Sequence, residues 1–452
     1  MQPLLSMAEN GDVKLNIAML PWLAFGHLIP YLELAKLMAS KGHMISFIST
    51  PRNIDRLPKI PQTLTPFITF IKINLPEVEN LPKNAESTRD LPANKVKYLK
   101  MACDGLRKPM VDFLNNTSLD WIICDFATYW LGPMVAKHGV RTAYFSVFPA
   151  LVLGFMGSPE AMSGGDERTS VDDFVKRPNW VSFESEVRPS AFHVTRIMQN
   201  LTTDDENVSD TYRLATTIRG CDAVVMRSSF AFEPDWLSLL TELYRKPVIT
   251  IGLLPTKAND NNDSDDTSWL ETKHWLDKRE KGSVVYIAFG TETKPSQYEL
   301  TQLALGLELS GLPFFWVLND QRGLSDDEVI ELPSGFEERT RGQGMVCKSW
   351  APQFKIVSHD SVGVLLIHSG MGSLVDGLQL GKPLMACMVY REDVDGSFTP
   401  ESVADSLSLV MVKEDGKMYR ERAKEMISLL GDKNVQDKCL DELMCFLQSS
   451  SK

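Results

Sequence analysis

The sequence predicts an α/β fold of two doubly wound parallel-sheet domains, and three observations carry that expectation. Short apolar runs alternate with stretches of helical period along most of the 452 residues, as strand–helix–strand units of a parallel sheet require. The run VGVLLI at 362–367 carries no polar residue, which suits a strand covered on both faces. Between the halves lies PTKANDNNDSDDTS at 255–268, acidic and aperiodic, which reads as an exposed linker. The expected boundaries are 1–253 for the first domain, 254–268 for the linker, 269–431 for the second domain and 432–452 for a closing helix.

In the first half, residues 13–20 read as strand one. A loop follows, and His27-Leu28-Ile29-Pro30 opens a helix to about Ser40 that Gly42 ends. Further strands are expected at 44–49, 68–73, 121–124, 142–146 and 223–226, and helices near 94–115, 130–138, 190–200 and 209–219. Residues 158–179 and 202–207 are polar and loop-like, and Met156, Met162, Phe183 and Phe192 could line a pocket beside them or simply pack as core. In the second half, a short helix at 269–278 leads to a buried strand at 283–289 that ends in Gly290-Thr291. A helix at 295–310 closed by Gly311, a strand at 313–318 and a charged loop at 319–331 come next, and 345–348 lead into Trp350. After the 362–367 strand, His368-Ser369-Gly370-Met371-Gly372-Ser373 turns the chain into a helix at 374–380 that Gly381 stops. Ser397 or Thr399 caps a helix with Pro400 near its first turn, and helices at 417–430 and 435–448 complete the chain.

Composition narrows the function classes. A net charge of −12 without a basic stripe argues against nucleic acid or an anionic membrane as the main partner. No run of eighteen apolar residues occurs, so no membrane-spanning segment is expected, and the N-terminus lacks the basic and long apolar regions of a secretory leader. Seven scattered cysteines without a C-x-x-C suit reduced thiols and a cytoplasmic location. No His/Asp cluster suggests a metal, so none is expected, and the expected assembly is a monomer.

Two residues stand out in the first half. His27 lies at a helix start directly after strand one, where the helix dipole disfavours imidazolium. Asp125 ends the 121–124 strand. In a parallel sheet both face one crevice, and a neutral His oriented by a carboxylate can deprotonate an alcohol. The structural alternatives are a His that merely caps or faces solvent and an Asp that caps the next helix. In the second half, strand, small-residue turn and helix present backbone N–H groups to a phosphate.

Trp350-Ala351-Pro352-Gln353, then His368, Gly370, Ser373, Asp376, Gly377, Gly381 and Pro383, resemble the donor signature of the plant UDP-dependent glycosyltransferases of small molecules. AFGHLIPYLELAKLMASKGHMISFISTPRN and DWIICDFATYW resemble the same family's acceptor-side motifs, most of all in the branch that adds rhamnose or glucose to glycosylated flavonoids or triterpenoids. The resemblance implies a GT-B fold, two facing Rossmann-like domains, with the acceptor bound by the first and the nucleotide sugar by the second. It implies that the last helix crosses back onto the first domain. It places His27 as catalytic base and Asp125 as its partner. Trp350 would stack on uracil, Gln353 would reach the ribose or base, and Thr291, His368, Gly370 and Ser373 would lie at the diphosphate. Asp376 would hold ribose hydroxyls. The residue types suit these tasks: a flat π-face for a base, short donors for phosphate oxygens, a carboxylate for a diol. A UDP-sugar is the implied co-substrate and a small molecule the acceptor, with no permanently bound cofactor.

The departures lie on the donor side. Met371-Gly372 stand where the family has Trp-Asn. The segment Asp395-Gly396-Ser397-Phe398-Thr399 resembles one the family places later, so a deletion of roughly twenty residues, about one helix and one strand, is expected near 389–395. The family's sugar-gripping acid and Gln would go with it. Three readings stay open at the level of sequence: an active transferase, a protein with an eroded donor half that binds a small molecule or uses His27 and Asp125 for other acid–base chemistry, or a truncated splice form without activity.

Overall fold

The computed structural model describes residues 13–192, 194–195, 208–256, 267–289, 295–318, 331–348, 351–368, 370–386 and 397–450. Two parallel sheets organise them. The first contains β1 (Asn16–Leu20), β2 (Met44–Ser49), β3 (Ile68–Lys72), β4 (Trp121–Cys124), β5 (Arg141–Ser146), β6 (Ala223–Met226) and β7 (Val248–Thr250), in the order β3-β2-β1-β4-β5-β6-β7. The second contains β8 (Val284–Ala288), β9 (Phe314–Val317), β10 (Gly344–Cys347), β11 (Val362–Ile367) and β12 (Leu384–Ala386), in the order β10-β9-β8-β11-β12. The two share a winding scheme: three strands step outward in one direction, then the order reverses beside the founding strand. Such reversal points, β1/β4 and β8/β11, open a crevice at the strands' C-terminal ends.

Alternation along each strand fills a layer on both faces. In β1, Ile17 and Met19 pack on one side with Phe47, Ile123 and Phe145, while Ala18 and Leu20 pack on the other with Ile48, Ile122 and Tyr144. In the second sheet, Val285, Ile287, Val364 and Leu366 oppose Tyr286, Ala288, Leu365 and Ile367 in the same way. Strands buried on both sides carry no polar face, which is why they read as continuous apolar runs.

The last helix, Lys433–Ser450, lies on the first sheet's layer: Leu440, Leu443, Met444 and Leu447 join that core, and Trp121 Nε1 donates to the Leu447 carbonyl at 3.0 Å. A smaller cluster joins Leu253 and Phe232 to Val375, Met371 and Leu378 of the helix after β11 and to Leu430. Among the described residues no helix is long and apolar enough to cross a membrane.

Several expectations need correction. The single helix at 94–115 is two, Val96–Asp104 and Arg107–Asn115. Pro109 cannot donate to the Gly105 carbonyl, and its ring would crowd that group. Gly105 also approaches Pro76 so closely that a Cβ there would sit 2.4 Å from the proline Cγ. The 130–138 helix tightens into a 3₁₀ turn at Ala136–His138 before Gly139 turns left-handed, φ 69°. Strand β7 and the helix Pro234–Tyr244 were not expected. The expected 158–179 loop contains a turn of π-helix at Ala161–Gly165 and a capped helix at Val171–Phe174. The expected 190–200 helix falls mostly outside the described residues, as do the 255–268 linker in most of its length and the 389–395 region.

Candidate active site

The two sheets' reversal points bring the predicted residues together in two groups. At β1/β4, the chain leaves β1 through Trp22 and enters the helix Phe25–Ser40, which carries His27 in its first turn. That helix has no side-chain cap and no acid in its first turn. Strand β4 delivers Asp125 alongside. Asp125 Oδ2 lies 2.7 Å from His27 Nδ1 and accepts the Trp22 backbone N–H at 3.1 Å, while Oδ1 accepts from Phe126 N at 2.7 Å. The carboxylate thus does both things the sequence allowed, capping its own turn and holding the imidazole. Asp125 is 1% exposed and His27 9%. A buried carboxylate bonded to Nδ1 fixes the tautomer with its lone pair on Nε2. Among the described residues, Nε2 has no hydrogen-bond partner.

The rings beside His27 are Phe126 and Phe148, at centroid separations of 5.9 and 5.5 Å. Phe148 is 36% exposed, so the imidazole sits at the inner edge of an apolar, accessible wall. Of the pocket residues proposed from sequence, Met162 is buried in the first domain's core, and Met156 and Phe183 pack against it. Phe183 stands edge-on to Trp236. Phe148 was missed, although its position just past the end of β5 is the same signal that marked Asp125.

At β8/β11 the second group assembles. His368 follows β11, and its ring lies over Gly370, where a Cβ would approach Nε2 to 2.6 Å. Burial lowers the His368 pKa, opposed in part by the Ala288 backbone at the end of β8, so the ring is neutral near pH 7. Its Nδ1 is buried with no partner among the described residues. Gly370 is the N-cap of the helix Met371–Gln379 and supplies no side chain to its first N–H groups, and no acid lies in the first turn. His368 thus packs at the start of a helix whose first amides have no side-chain cap among the described residues, a setting for an anion. Gln353 Nε2 donates to Ser373 Oγ at 3.0 Å, which joins two of the predicted donor residues and leaves the hydroxyl proton for another acceptor.

Asp376 faces inward from the same helix and is 8% exposed. Burial raises its pKa, while the neighbouring Thr256 and the positive charge of Arg227 pull it back down. Thr291 and Trp350 lie outside the described residues, as does Ser369.

Residues 261–406 match the family model described as UDP-glucoronosyl and UDP-glucosyl transferase. The chain is 46% identical to UDP-glycosyltransferase 91A1 of Arabidopsis thaliana, over 97% of this chain and 98% of the relative. It is 37% identical to the soyasaponin III rhamnosyltransferase of Glycine max, over 98% of both. The Medicago truncatula UGT71G1 structure complexed with UDP-glucose superposes with a TM-score of 0.74 at 19% identity, covering 97% of this chain and 99% of that one, which establishes the shared GT-B fold. The chain therefore belongs to the plant family 1 UDP-dependent glycosyltransferases, whose co-substrate is a UDP-sugar.

Proposed function

We propose that this protein transfers a hexosyl or rhamnosyl group from a UDP-sugar to a hydroxyl of a flavonoid or triterpenoid that already carries sugar. His27 Nε2 takes the acceptor hydroxyl's proton as its oxygen attacks the anomeric carbon. The bond from that carbon to the diphosphate breaks, and UDP leaves. Asp125 stabilises the imidazolium that forms. His368, Ser373 and the amides after Gly370 hold the diphosphate and stabilise the charge that builds on it. Gln353 and Asp376 hold the nucleoside, and Trp350 and Thr291 complete the donor side by resemblance.

The observation that carries this reading is the 2.7 Å contact between His27 and the buried Asp125 at a sheet's reversal point. The His368 ring, packed on Gly370 at the start of a helix without a side-chain cap, supports the donor half. Sugar and acceptor class are supported by the relative named soyasaponin III rhamnosyltransferase. The full chain is incubated with UDP-glucose or UDP-rhamnose and a panel of flavonoid and triterpenoid glycosides, and products are weighed by mass spectrometry. A product heavier by one sugar is expected with at least one pair. No product with any pair contradicts the proposal.

A further inference from the structure

The turn that carries Asp125 into the site is held by one helix. After Asp125 the chain makes a 3₁₀ turn, Phe126–Thr128, and the Asp125 carbonyl accepts both the Thr128 hydroxyl at 2.9 Å and the Thr128 N–H at 3.2 Å. The next two carbonyls are taken by the helix Asp210–Gly220. Thr217 Oγ1 donates to the Phe126 carbonyl at 3.1 Å, and Arg213 Nη1 donates to the Ala127 carbonyl at 3.2 Å. Arg213 and Thr217 stand one turn apart on the same face of that helix. Each carbonyl from Asp125 to Ala127 therefore has a side-chain donor. Arg213 is itself fixed. It is 0% exposed and forks onto Asp104, Nη1 to Oδ1 at 2.6 Å and Nη2 to Oδ2 at 2.7 Å. Its Nε donates to the Val208 carbonyl at 3.1 Å, and its guanidinium lies 5.0 Å from the centroid of the Tyr129 ring. An apolar side chain of similar volume would fill that space without the penalty of taking a charge out of water. What the arginine adds is direction, since it ties Asp104 and its own helix to the Ala127 carbonyl.

The geometry of the base is set at this turn. Asp125 Oδ1 accepts the Phe126 N–H at 2.7 Å, so the peptide after Asp125 orients the carboxylate whose Oδ2 lies 2.7 Å from His27 Nδ1. The Phe126 ring lies 5.9 Å from the imidazole and 6.0 Å from the Trp22 ring. We propose that Thr217 and Arg213 are positioning residues for the base: by fixing the Phe126 and Ala127 carbonyls they set the plane of the Asp125 carboxylate against His27. The inference rests on the role given to His27 and Asp125 above. A displacement of about 1 Å in a catalytic group can cost about a hundredfold in rate, so one lost bond at the turn should be visible in kcat.

Thr217→Val removes the donor while keeping the side chain's shape, and Thr217→Ser restores it. Thr217→Val should lower kcat about tenfold, with the KM for UDP-sugar and the KM for acceptor each within about twofold of wild type. Thr217→Ser should recover kcat to within about twofold. Arg213→Lys keeps a charge beside Asp104 but loses the planar fork, and should lower kcat in the same selective way. In an Asp125→Asn background the carboxylate is already gone. There Thr217→Val should change kcat by less than about twofold, because changes that act through one contact do not add. Unchanged kcat in Thr217→Val overturns the proposal. So does a fall of about tenfold that persists in the Asp125→Asn background. A fall in kcat matched by an equal loss of UDP-binding chains also overturns it, because it reports lost protein and not a displaced base. Hydrogen exchange separates this inference from the function it rests on: in Thr217→Val the Phe126 amide, which bonds Asp125 Oδ1, should exchange faster while β8 and β11 are unchanged. If wild-type protein transfers no sugar, the proposed function has failed. Unchanged exchange at Phe126 then overturns the role given to Thr217, and faster exchange upholds its hold on Asp125.

Discussion

Asp125 is the residue on which most of the first site converges, because its two oxygens divide three hydrogen bonds among Trp22, His27 and Phe126. Asp125→Asn can keep the cap but presents an amide to His27, so the imidazole loses the partner that sets its tautomer. Turnover should drop about 10²- to 10⁴-fold, the usual share of a general base, with a stability loss of about 1–3 kcal/mol for a buried group left badly paired. Initial rates and urea unfolding of the same preparation separate the two effects. His368 gives a pH-dependent prediction. Its pKa lies below 6.5 in the folded protein, so in the window between the folded value and 6.5 the unfolded chain binds the extra proton. Stability is therefore lost as pH falls through that window. His368→Asn should lose less stability than wild type between about pH 7.5 and 5.5, read as the change in urea midpoint. Equal changes in both would contradict the assignment of a buried neutral ring. At this scale the sequence was informative wherever a polar residue ends an apolar strand, as with His368, Asp125 and His27 just past β1. Phe148 also lies just past a strand, but an aromatic there reads as core rather than as a site residue.

Among the elements, the helix Met371–Gln379 carries the proposed donor side, and its seat on the sheet depends on a missing side chain. Gly377 meets β11 and β12 so closely that a Cβ would lie 2.4 Å from Leu384 Cδ2 and 3.0 Å from Leu365 Cδ2. Gly377→Val should lift the helix, cost about 1–3 kcal/mol by overpacking, and raise the KM for UDP-sugar more than that for acceptor. Steady-state kinetics with each substrate varied in turn test this; equal KM changes would mean that the helix's seat does not set the donor site. Most strands were legible because burial on both faces leaves an unbroken apolar run. Strand β7 was not, since three residues after Pro247 are too few to show a period. The break at Gly105 was hidden because helical spacing continues across it, and only the close approach of Pro76 and the lost N–H of Pro109 reveal it.

Over the whole molecule, two sheets are wound by the same rule, the proposed function puts the acceptor and donor at their reversal points, and the closing helix returns to the first. Leu443 is fully buried against the first sheet. Leu443→Ala should destabilise the protein by about 2–5 kcal/mol, measured by urea unfolding; a change near zero would mean that the closing helix is not part of the cooperative core. The two-sheet plan was readable from alternating strands and helices and from the acidic break between them. The packing of Leu253 with Val375 and Leu430 was not, because long-range complementarity leaves no local pattern.

The division of labour between the halves is the central claim, and calorimetric titration of UDP tests it most directly. Wild type and His27→Ala should bind UDP with the same affinity within about twofold, while His368→Ala should weaken it about tenfold or more, as removal of a phosphate contact does. Absence of heat with wild type at millimolar UDP, or an affinity that depends on His27 and not on His368, would contradict the account.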